Sequence, residues 1–410
     1  MKKTESEQIA KWTRNIKKLY LFQFLANFHL ISGVLIPFFM TWGQLTFFEV
    51  MCLESYFTIM ILVFEIPCGA ISDYINRKFS IILAGISVSI AVLIYSSYPN
   101  IILFVLGETF WALSAALISG TDQALIYDSL KKVGKEEKIN KKMATLNSSM
   151  LIGIAVSAPL GSMISQLFSI PFVMFIMVVP FSLATIIAFT LKEPNETIIK
   201  TKEKKYTEII VLGFNELKEK KELRILGFES IYVEVLIFFI LWMYQPYLEQ
   251  LQISLAWFGF VSTGMTLSQV LLTNLVPKLE KNFQNRKNLI RIYTLIPALG
   301  YILMGLFQIP ALSIILILIV IGFGFSRKIF FIEAINAQIK SKERATVLST
   351  INMFSSLLRA IFYPLVGLFV MWSLNYTFIA LGILVLIDSI GLRIKNEYFK
   401  LEEVSSVSKF

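Results

Sequence analysis

Long apolar stretches of about twenty residues recur along the chain and are separated by short polar segments. Wound as an α-helix, a stretch of this length crosses the roughly 30 Å hydrocarbon core of a bilayer. The pattern predicts twelve transmembrane helices, numbered helix one to helix twelve here, at 19–40, 47–70, 79–97, 101–127, 145–167, 171–191, 225–247, 254–276, 288–308, 311–334, 346–371 and 375–392. The chain is therefore predicted to be an all-α integral membrane protein embedded in a lipid bilayer.

The polar segments alternate in charge along the chain. Those that hold 34 of the 38 Lys and Arg residues are 1–18, 71–78, 128–144, 192–224, 277–287, 335–345 and 393–410. The loops that alternate with them hold no Lys or Arg. Basic loops face the cytoplasm, so we predict a multi-pass protein of the cell inner membrane with both termini cytoplasmic. The net charge of +10 is then an orientation signal, and nucleic acid is not an expected partner.

Composition excludes several classes of protein. Charged residues make up 16% of the chain and hydrophobic residues 56%, whereas a soluble domain has about a quarter charged residues. Cys52 and Cys68 share one apolar stretch, which argues against a disulfide framework. The single histidine argues against a His-rich metal site, and no phosphate-binding glycine loop is present. We therefore expect a protein that is not an enzyme and that has no cofactor or metal.

The two halves of the chain repeat each other weakly. The run NRKNLI at 285–290 follows NRKFSI at 76–81 by 209 residues, and the long polar segment 192–224 separates six predicted helices from six. Repeated halves are how many secondary transporters are built. We therefore predict an N-terminal six-helix bundle at 1–191, a cytoplasmic linker at 192–224 and a C-terminal six-helix bundle at 225–410.

The turn between helices two and three carries the most specific motif. GAISDYINRK at 69–78 resembles the loop of the major facilitator superfamily with the pattern Gly-x-x-x-Asp-x-x-Gly-Arg-Lys/Arg. The matching residues are Gly69, Asp73, Arg77 and Lys78. Asn76 replaces the usual glycine, and asparagine tolerates the left-handed backbone expected there. FEIPCG at 64–69 and SGTDQALIYDSL at 119–130 resemble a drug-efflux-like or uncharacterised prokaryotic subgroup.

This resemblance implies two pseudo-symmetric six-helix bundles that transport by alternating access. It also implies a central cavity lined by helices one, four, seven and ten, and a cytoplasmic gate at the motif. Candidate gate residues are Gly69, Asp73, Arg77, Lys78, Asp122 and Asp128. Within that set, Arg77 is expected to pair with Asp128. LIGIAVSAPLGSM at 151–163 is weakly similar to the superfamily's antiporter motif, which supports export.

Ionisable side chains inside the predicted helices cost about 2.5–3.5 kcal/mol each at the bilayer centre. They either bind substrate and protons or form structural ion pairs, and both readings stay open. Candidates for substrate binding are Asn27, Glu234, Arg327, Arg359 and Gln245, the last beside Pro246, which is expected to end helix seven. Candidates for proton coupling are Glu54, Glu65, Glu108 and His29. For Glu229, Glu333 and Asp388 we expect structural pairs, and for Asp122 and Asp128 basic partners or helix caps.

Three functions are compatible with these features. The first is proton-coupled export of a small amphipathic organic compound by a monomeric secondary transporter. The second is import of an organic anion anchored by Arg327 and Arg359. The third is a membrane receptor that transports nothing.

Overall fold

The regular elements of the computed structural model are helices throughout the part of the chain that it describes, namely residues 2–194, 206–282, 285–339, 344–392 and 394–399. Within those residues, ten helices are long and apolar enough to cross a membrane. They correspond to all the predicted spans except helices one and eight. Helix one is interrupted, and helix eight carries several Ser, Thr and Gln residues. The protein is an all-α, multi-pass membrane protein.

The helices follow the predicted order. Some are continuous, others are interrupted, and a few smaller helical elements lie between them. Helices that run without interruption are two (Phe47–Tyr74), three (Arg77–Ser97), five (Ile139–Leu167), eight (Ala256–Asn282), nine (Arg286–Leu306), eleven (Arg344–Trp372) and twelve (Leu374–Gly391). Interrupted helices are one (Lys2–Ala26, Leu30–Gly33, Leu35–Pro37 and Phe38–Trp42), four (Ile101–Ile118 and Thr121–Lys131), six (Ile170–Ile176 and Val178–Phe189), seven (Lys221–Phe238 and Ile240–Gln250) and ten (Pro310–Ser326 and Lys328–Ala337). Smaller elements are Glu136–Lys138, Tyr206–Glu219 and Asn396–Phe399.

The helices form two compact units. Unit 1 comprises Met1–Lys202 and Gln252–Thr263, and unit 2 comprises Glu203–Leu251 and Gly264–Phe410. In unit 1, helix three packs against helices four and six, and helix one packs along helix five. In unit 2, helix nine packs against helices ten and twelve. The partners of helix three and of helix nine thus correspond, while the boundaries at 1–191, 192–224 and 225–410 stay a prediction.

Asparagine caps show the repeat at the level of single hydrogen bonds. The side-chain oxygen of Asn76 accepts a hydrogen bond from the Phe79 amide at 2.6 Å, and Asn285 begins helix nine in the same way. Asn76 has an extended backbone with φ −178°, so the predicted left-handed conformation is wrong. Its role is to cap a helix, for which asparagine is among the best residues.

A second side chain also caps each of these two helix starts. It comes from the segment that follows the last helix of the same half. The carboxylate of Glu193, just after helix six, accepts from the Arg77 and Lys78 amides at 3.3 and 2.8 Å. In the second half, the side-chain oxygen of Asn396, after helix twelve, accepts from the Lys287 amide at 3.0 Å. The two halves therefore satisfy equivalent free amides with side chains from equivalent places.

Helix five lies very close to helix one because glycine leaves room for the backbone. A β-carbon added at Gly153 would lie 2.5 Å from the Phe24 carbonyl oxygen, and one added at Gly161 would overlap the Leu30 carbonyl oxygen. Small residues at such positions let membrane helices approach closely. The small residues of helix five thus hold the interrupted part of helix one in place.

We expect Gly161→Val to lower the free energy of unfolding by about 1–3 kcal/mol, because a backbone carbonyl cannot move aside as a side chain does. The measurement is the apparent melting temperature of the purified protein in detergent. Gly69→Val is the matched control, since a β-carbon there would meet no atom within 4 Å. A Gly161→Val protein as stable as that control would contradict the close packing.

Candidate functional site

The four helices that the family resemblance assigns to a cavity are all interrupted. The interruptions fall at 27–29 in helix one, at 119–120 in helix four, at Phe239 in helix seven and at Arg327 in helix ten. Helix six is also interrupted, at Met177. Helix seven continues through Pro246 to Gln250, so the predicted end at that proline is wrong. A proline removes only its own amide hydrogen bond, and the surrounding turns persist there.

Side chains from neighbouring positions satisfy the carbonyl groups that these interruptions leave free. The Ala26 carbonyl contacts Nε2 of His29 at 3.0 Å, and the Leu117 carbonyl accepts from the Ser80 hydroxyl at 2.8 Å. At the interruption of helix seven, the Tyr301 hydroxyl donates to the Leu236 carbonyl at 3.0 Å. Non-helical backbone at membrane depth is tolerated where protein groups satisfy it in this way. His29 thus contacts a free carbonyl at the break of helix one, and its role as a proton carrier stays a prediction.

A cavity of about 460 Å³ lies inside unit 1, beside the interruptions of helices one and four. Helices one, three, four, five and six contribute to its lining. Three of the residues predicted from the sequence meet there, namely Asn27, His29 and Asp122. The sequence predicts Asn27 as a substrate contact, His29 as a proton carrier and Asp122 as part of the gate.

A chain of hydrogen bonds connects the polar residues of this cavity. The Asn27 amide donates to the side-chain oxygen of Gln23 at 2.8 Å, and the Gln23 amide donates to the Asp122 carboxylate at 2.6 Å. The Gln123 backbone amide donates to the other carboxylate oxygen at 2.7 Å. Asp122 is only 6% exposed, and within the described part of the chain it forms no ion pair with a basic side chain. It lies in the first turn of its helix, where an acid is favoured.

Aromatic rings form one wall of the cavity. The rings of His29 and Trp111 meet edge to face at 5.4 Å, and Phe181 lies behind both, at 5.6 Å from His29 and 6.0 Å from Trp111. Trp111 went unnoticed in the sequence, although its position three residues after Glu108 puts both on one face of helix four.

Two of the acids predicted as candidates for proton coupling, one in helix two and one in helix four, are both buried. Glu54 and Glu108 are each 5% exposed, and the charge of Glu108 acts on Glu54. The hydroxyl of Tyr95, itself buried, hydrogen-bonds to Glu108. Neither acid forms an ion pair with a basic residue in the described ranges. Glu65 lies half-buried farther along helix two.

Arg327 is enclosed by partners in unit 2. Its side chain contacts the Asp388 carboxylate at 3.3 Å and the Glu229 carboxylate at 3.7 Å, and it donates to the Thr294 hydroxyl at 2.8 Å. The guanidinium also lies 4.5 Å from the centre of the Phe331 ring, and the residue is 2% exposed. Every face of this cation is therefore occupied by protein.

The other substrate candidates of unit 2 lie in different surroundings. Glu234 pairs with Lys328 at 3.0 Å. Arg359 stacks over the Phe238 ring at 4.7 Å and donates to the Ser356 hydroxyl at 3.0 Å, with no carboxylate partner in the described part of the chain. Gln245 is buried and donates to the Tyr244 hydroxyl at 2.9 Å.

The motif at 69–78 forms the predicted ion pair. The Arg77 guanidinium contacts the Asp128 carboxylate and also donates to the Ala124 carbonyl at 3.2 Å. Lys78 contributes its backbone amide to the contact with Glu193, while the side chain of Asp73 lies outside the described residues. A role of the motif in gating stays a prediction.

Comparisons with known proteins agree with this fold. The family model described as Major Facilitator Superfamily matches residues 19–361. No curated protein sequence matches the chain. The crystal structure of the nucleoside transporter NupG superposes with a TM-score of 0.76 at 14% identity, covering 92% of this chain and 98% of the other.

Two further solved structures are similar in the same way. The POT family transporter PepTSo gives a TM-score of 0.72 at 13% identity, covering 93% of this chain and 97% of that one. A bacterial homologue of the human lysosomal transporter Spinster gives 0.73 at 14% identity, covering 92% and 94%. At these identities the likeness concerns the fold alone.

Proposed function

Since this chain belongs to the major facilitator superfamily and is a transporter rather than an enzyme, we propose that it couples proton movement to the export of a small amphipathic organic compound. The observation that carries the proposal is the pair of buried acids Glu54 and Glu108. The transporter works by alternating access in this proposal.

Two neighbouring carboxylates shielded from water repel each other when both are charged, and one proton removes the repulsion. A basic side chain would neutralise such a pair permanently. In the described residues neither Glu54 nor Glu108 has one, so their charge depends on protons. The Tyr95 hydroxyl donates a hydrogen bond to Glu108.

The surroundings of Arg327 and Arg359 weigh against import of an organic anion. Arg327 was expected to anchor the anion, but Glu229 and Asp388 occupy its guanidinium. The import hypothesis then depends on Arg359, whose position over Phe238 leaves it without a carboxylate partner in the described ranges.

Several further features belong to the same proposal. Export is supported by the resemblance of helix five to the antiporter motif and by the drug-efflux-like character of the motifs at 64–69 and 119–130. The distribution of basic loops supports the inner membrane with cytoplasmic termini. We also propose that the transporter acts as a monomer, with bundles at 1–191 and 225–410 joined by the linker 192–224.

The test uses everted membrane vesicles from cells that overproduce the protein. Compounds that raise the apparent melting temperature of the purified transporter are first selected from a library, because a ligand of the folded state stabilises it. Each is then added to vesicles with an acidic interior, whose pH is followed with acridine orange. We expect selected compounds to enter the vesicles while protons leave, and so to dissipate the proton gradient, only in vesicles that contain the protein.

Three outcomes would contradict parts of this proposal. Compounds that accumulate without any release of protons would exclude proton coupling. Uptake only into right-side-out vesicles would favour the importer. Ligands that bind to the protein but are not transported across the membrane would identify a receptor.

A further inference from the structure

We propose that the cavity of unit 1 binds the positively charged nitrogen of an organic amine, with Asp122 as the anchor for its charge. The inference rests on the transport function proposed above and names the substrate class. It depends on the cavity beside helices one and four and on the chemistry of the side chains that line it.

The Asp122 carboxylate is only partly satisfied by the protein. One oxygen accepts from the Gln23 side chain and the other from the Gln123 amide, both of which are uncharged donors. A carboxylate has about four acceptor positions, so two bonds leave room for a further donor. A buried charge is stable when it is paired, and an ammonium group in the cavity supplies both the charge and the donor.

The remaining lining fits the rest of such a molecule. Among the described residues that line the cavity, none is Lys or Arg. His29 holds a hydrogen on Nε2, because that atom contacts a carbonyl oxygen, which only accepts. Trp111 offers an indole ring, the aromatic surface that attracts cations best.

The size of the cavity also agrees with a small ligand. Its volume of about 460 Å³ falls within the roughly 300–1,000 Å³ typical of small-molecule sites. Apolar contact comes from Phe22, Val88 and Met150, and Asn27 and Asn147 add polar groups to the lining. The ligand is thus an amine with an apolar body.

Three probes with the same phenylalkyl body separate charge from hydrophobicity. They are phenylbutylamine, phenylbutanol and phenylbutyrate, which carry a positive charge, no charge and a negative charge. Their binding to the purified full-length protein in detergent is measured by thermal shift and by titration calorimetry. We expect the amine to stabilise the protein most and to bind about tenfold more tightly than the alcohol, which lacks a charge-assisted hydrogen bond.

The matched variants are Asp122→Asn and Glu137→Gln. Both remove one negative charge, but Glu137 is exposed and does not line the cavity. We expect Asp122→Asn to bind the amine about tenfold more weakly, no better than the alcohol, and Glu137→Gln to bind it like the unmodified protein. Trp111→Leu, which keeps the carboxylate, is expected to weaken binding of the amine several-fold more than binding of the alcohol.

The three probes test the inference on the unmodified protein even if a variant fails to fold. Tighter binding of phenylbutyrate, equal binding of the amine and the alcohol, or no stabilisation by any probe would overturn the inference. So would unchanged amine binding in Asp122→Asn. Because no gradient is present in detergent, amine binding without proton-driven flux in vesicles would contradict the proposed coupling and leave this site intact.

Discussion

Replacing Arg327 by methionine is expected to lower the free energy of unfolding by about 3–5 kcal/mol, because it leaves buried carboxylates without their cation. The side chains of Glu229 and Asp388 are only 4% and 5% exposed, so water cannot take the place of the guanidinium. The measurements are the yield of monodisperse protein and its apparent melting temperature in detergent.

A second ion pair in the same helix provides the control. Lys328 is 41% exposed where it pairs with Glu234, and an exposed pair contributes about 0–1 kcal/mol. Lys328→Met should therefore cost far less than Arg327→Met. Adding Glu229→Gln and Asp388→Asn to the Arg327 variant should recover much of the lost stability, since no charge then stays buried.

The Arg327 experiment also separates the two readings that the sequence left open. If Arg327→Met is as stable as the unmodified protein and yet loses ligand binding, the cation serves a substrate and the structural reading is wrong. If stability falls and is recovered by the compensating substitutions, the cation holds helices seven, ten and twelve together.

Replacing either Glu54 or Glu108 by glutamine is expected to reduce proton-driven flux more than about tenfold, in line with the usual contribution of a positioned proton carrier. Glutamine keeps the size of the side chain and cannot take up a proton. Exchange of labelled for unlabelled ligand across the same vesicles needs no net proton movement, so it should persist in both variants.

The comparison of driven flux with exchange is the decisive measurement for this pair. Glu137→Gln again serves as the variant with the same change in charge, placed on the exposed turn after helix four. Variants of Glu54 and Glu108 that keep full proton-driven flux would contradict a role of the pair in coupling. Loss of exchange together with driven flux would show that the substitutions impair the transporter more generally.

Much of the fold could be predicted because the dominant signals are local. A stretch of about twenty apolar residues has to form a helix in lipid, and asparagine before a helix favours a cap at that place. The contact of Arg77 with Asp128 could also be predicted from the sequence, since oppositely charged residues at the inner ends of neighbouring helices lie close together.

The candidate site was harder to predict because its contacts link distant parts of the chain. Arg327 lies 98 residues from Glu229 and 61 from Asp388, and no periodicity relates these three positions. The interruption of helix one at 27–29 gave no sequence signal, because neither glycine nor proline is present there. The Ala26 carbonyl that it frees is contacted by His29, only three residues farther along the chain, and a contact of this kind has no characteristic sequence pattern.

The caps provided by Glu193 and Asn396 have a consequence for insertions in the chain between the two halves. Each joins the segment after the sixth helix of one half to the first amides of the third helix of that half. We therefore expect an insertion in the chain between the halves to leave both contacts in place.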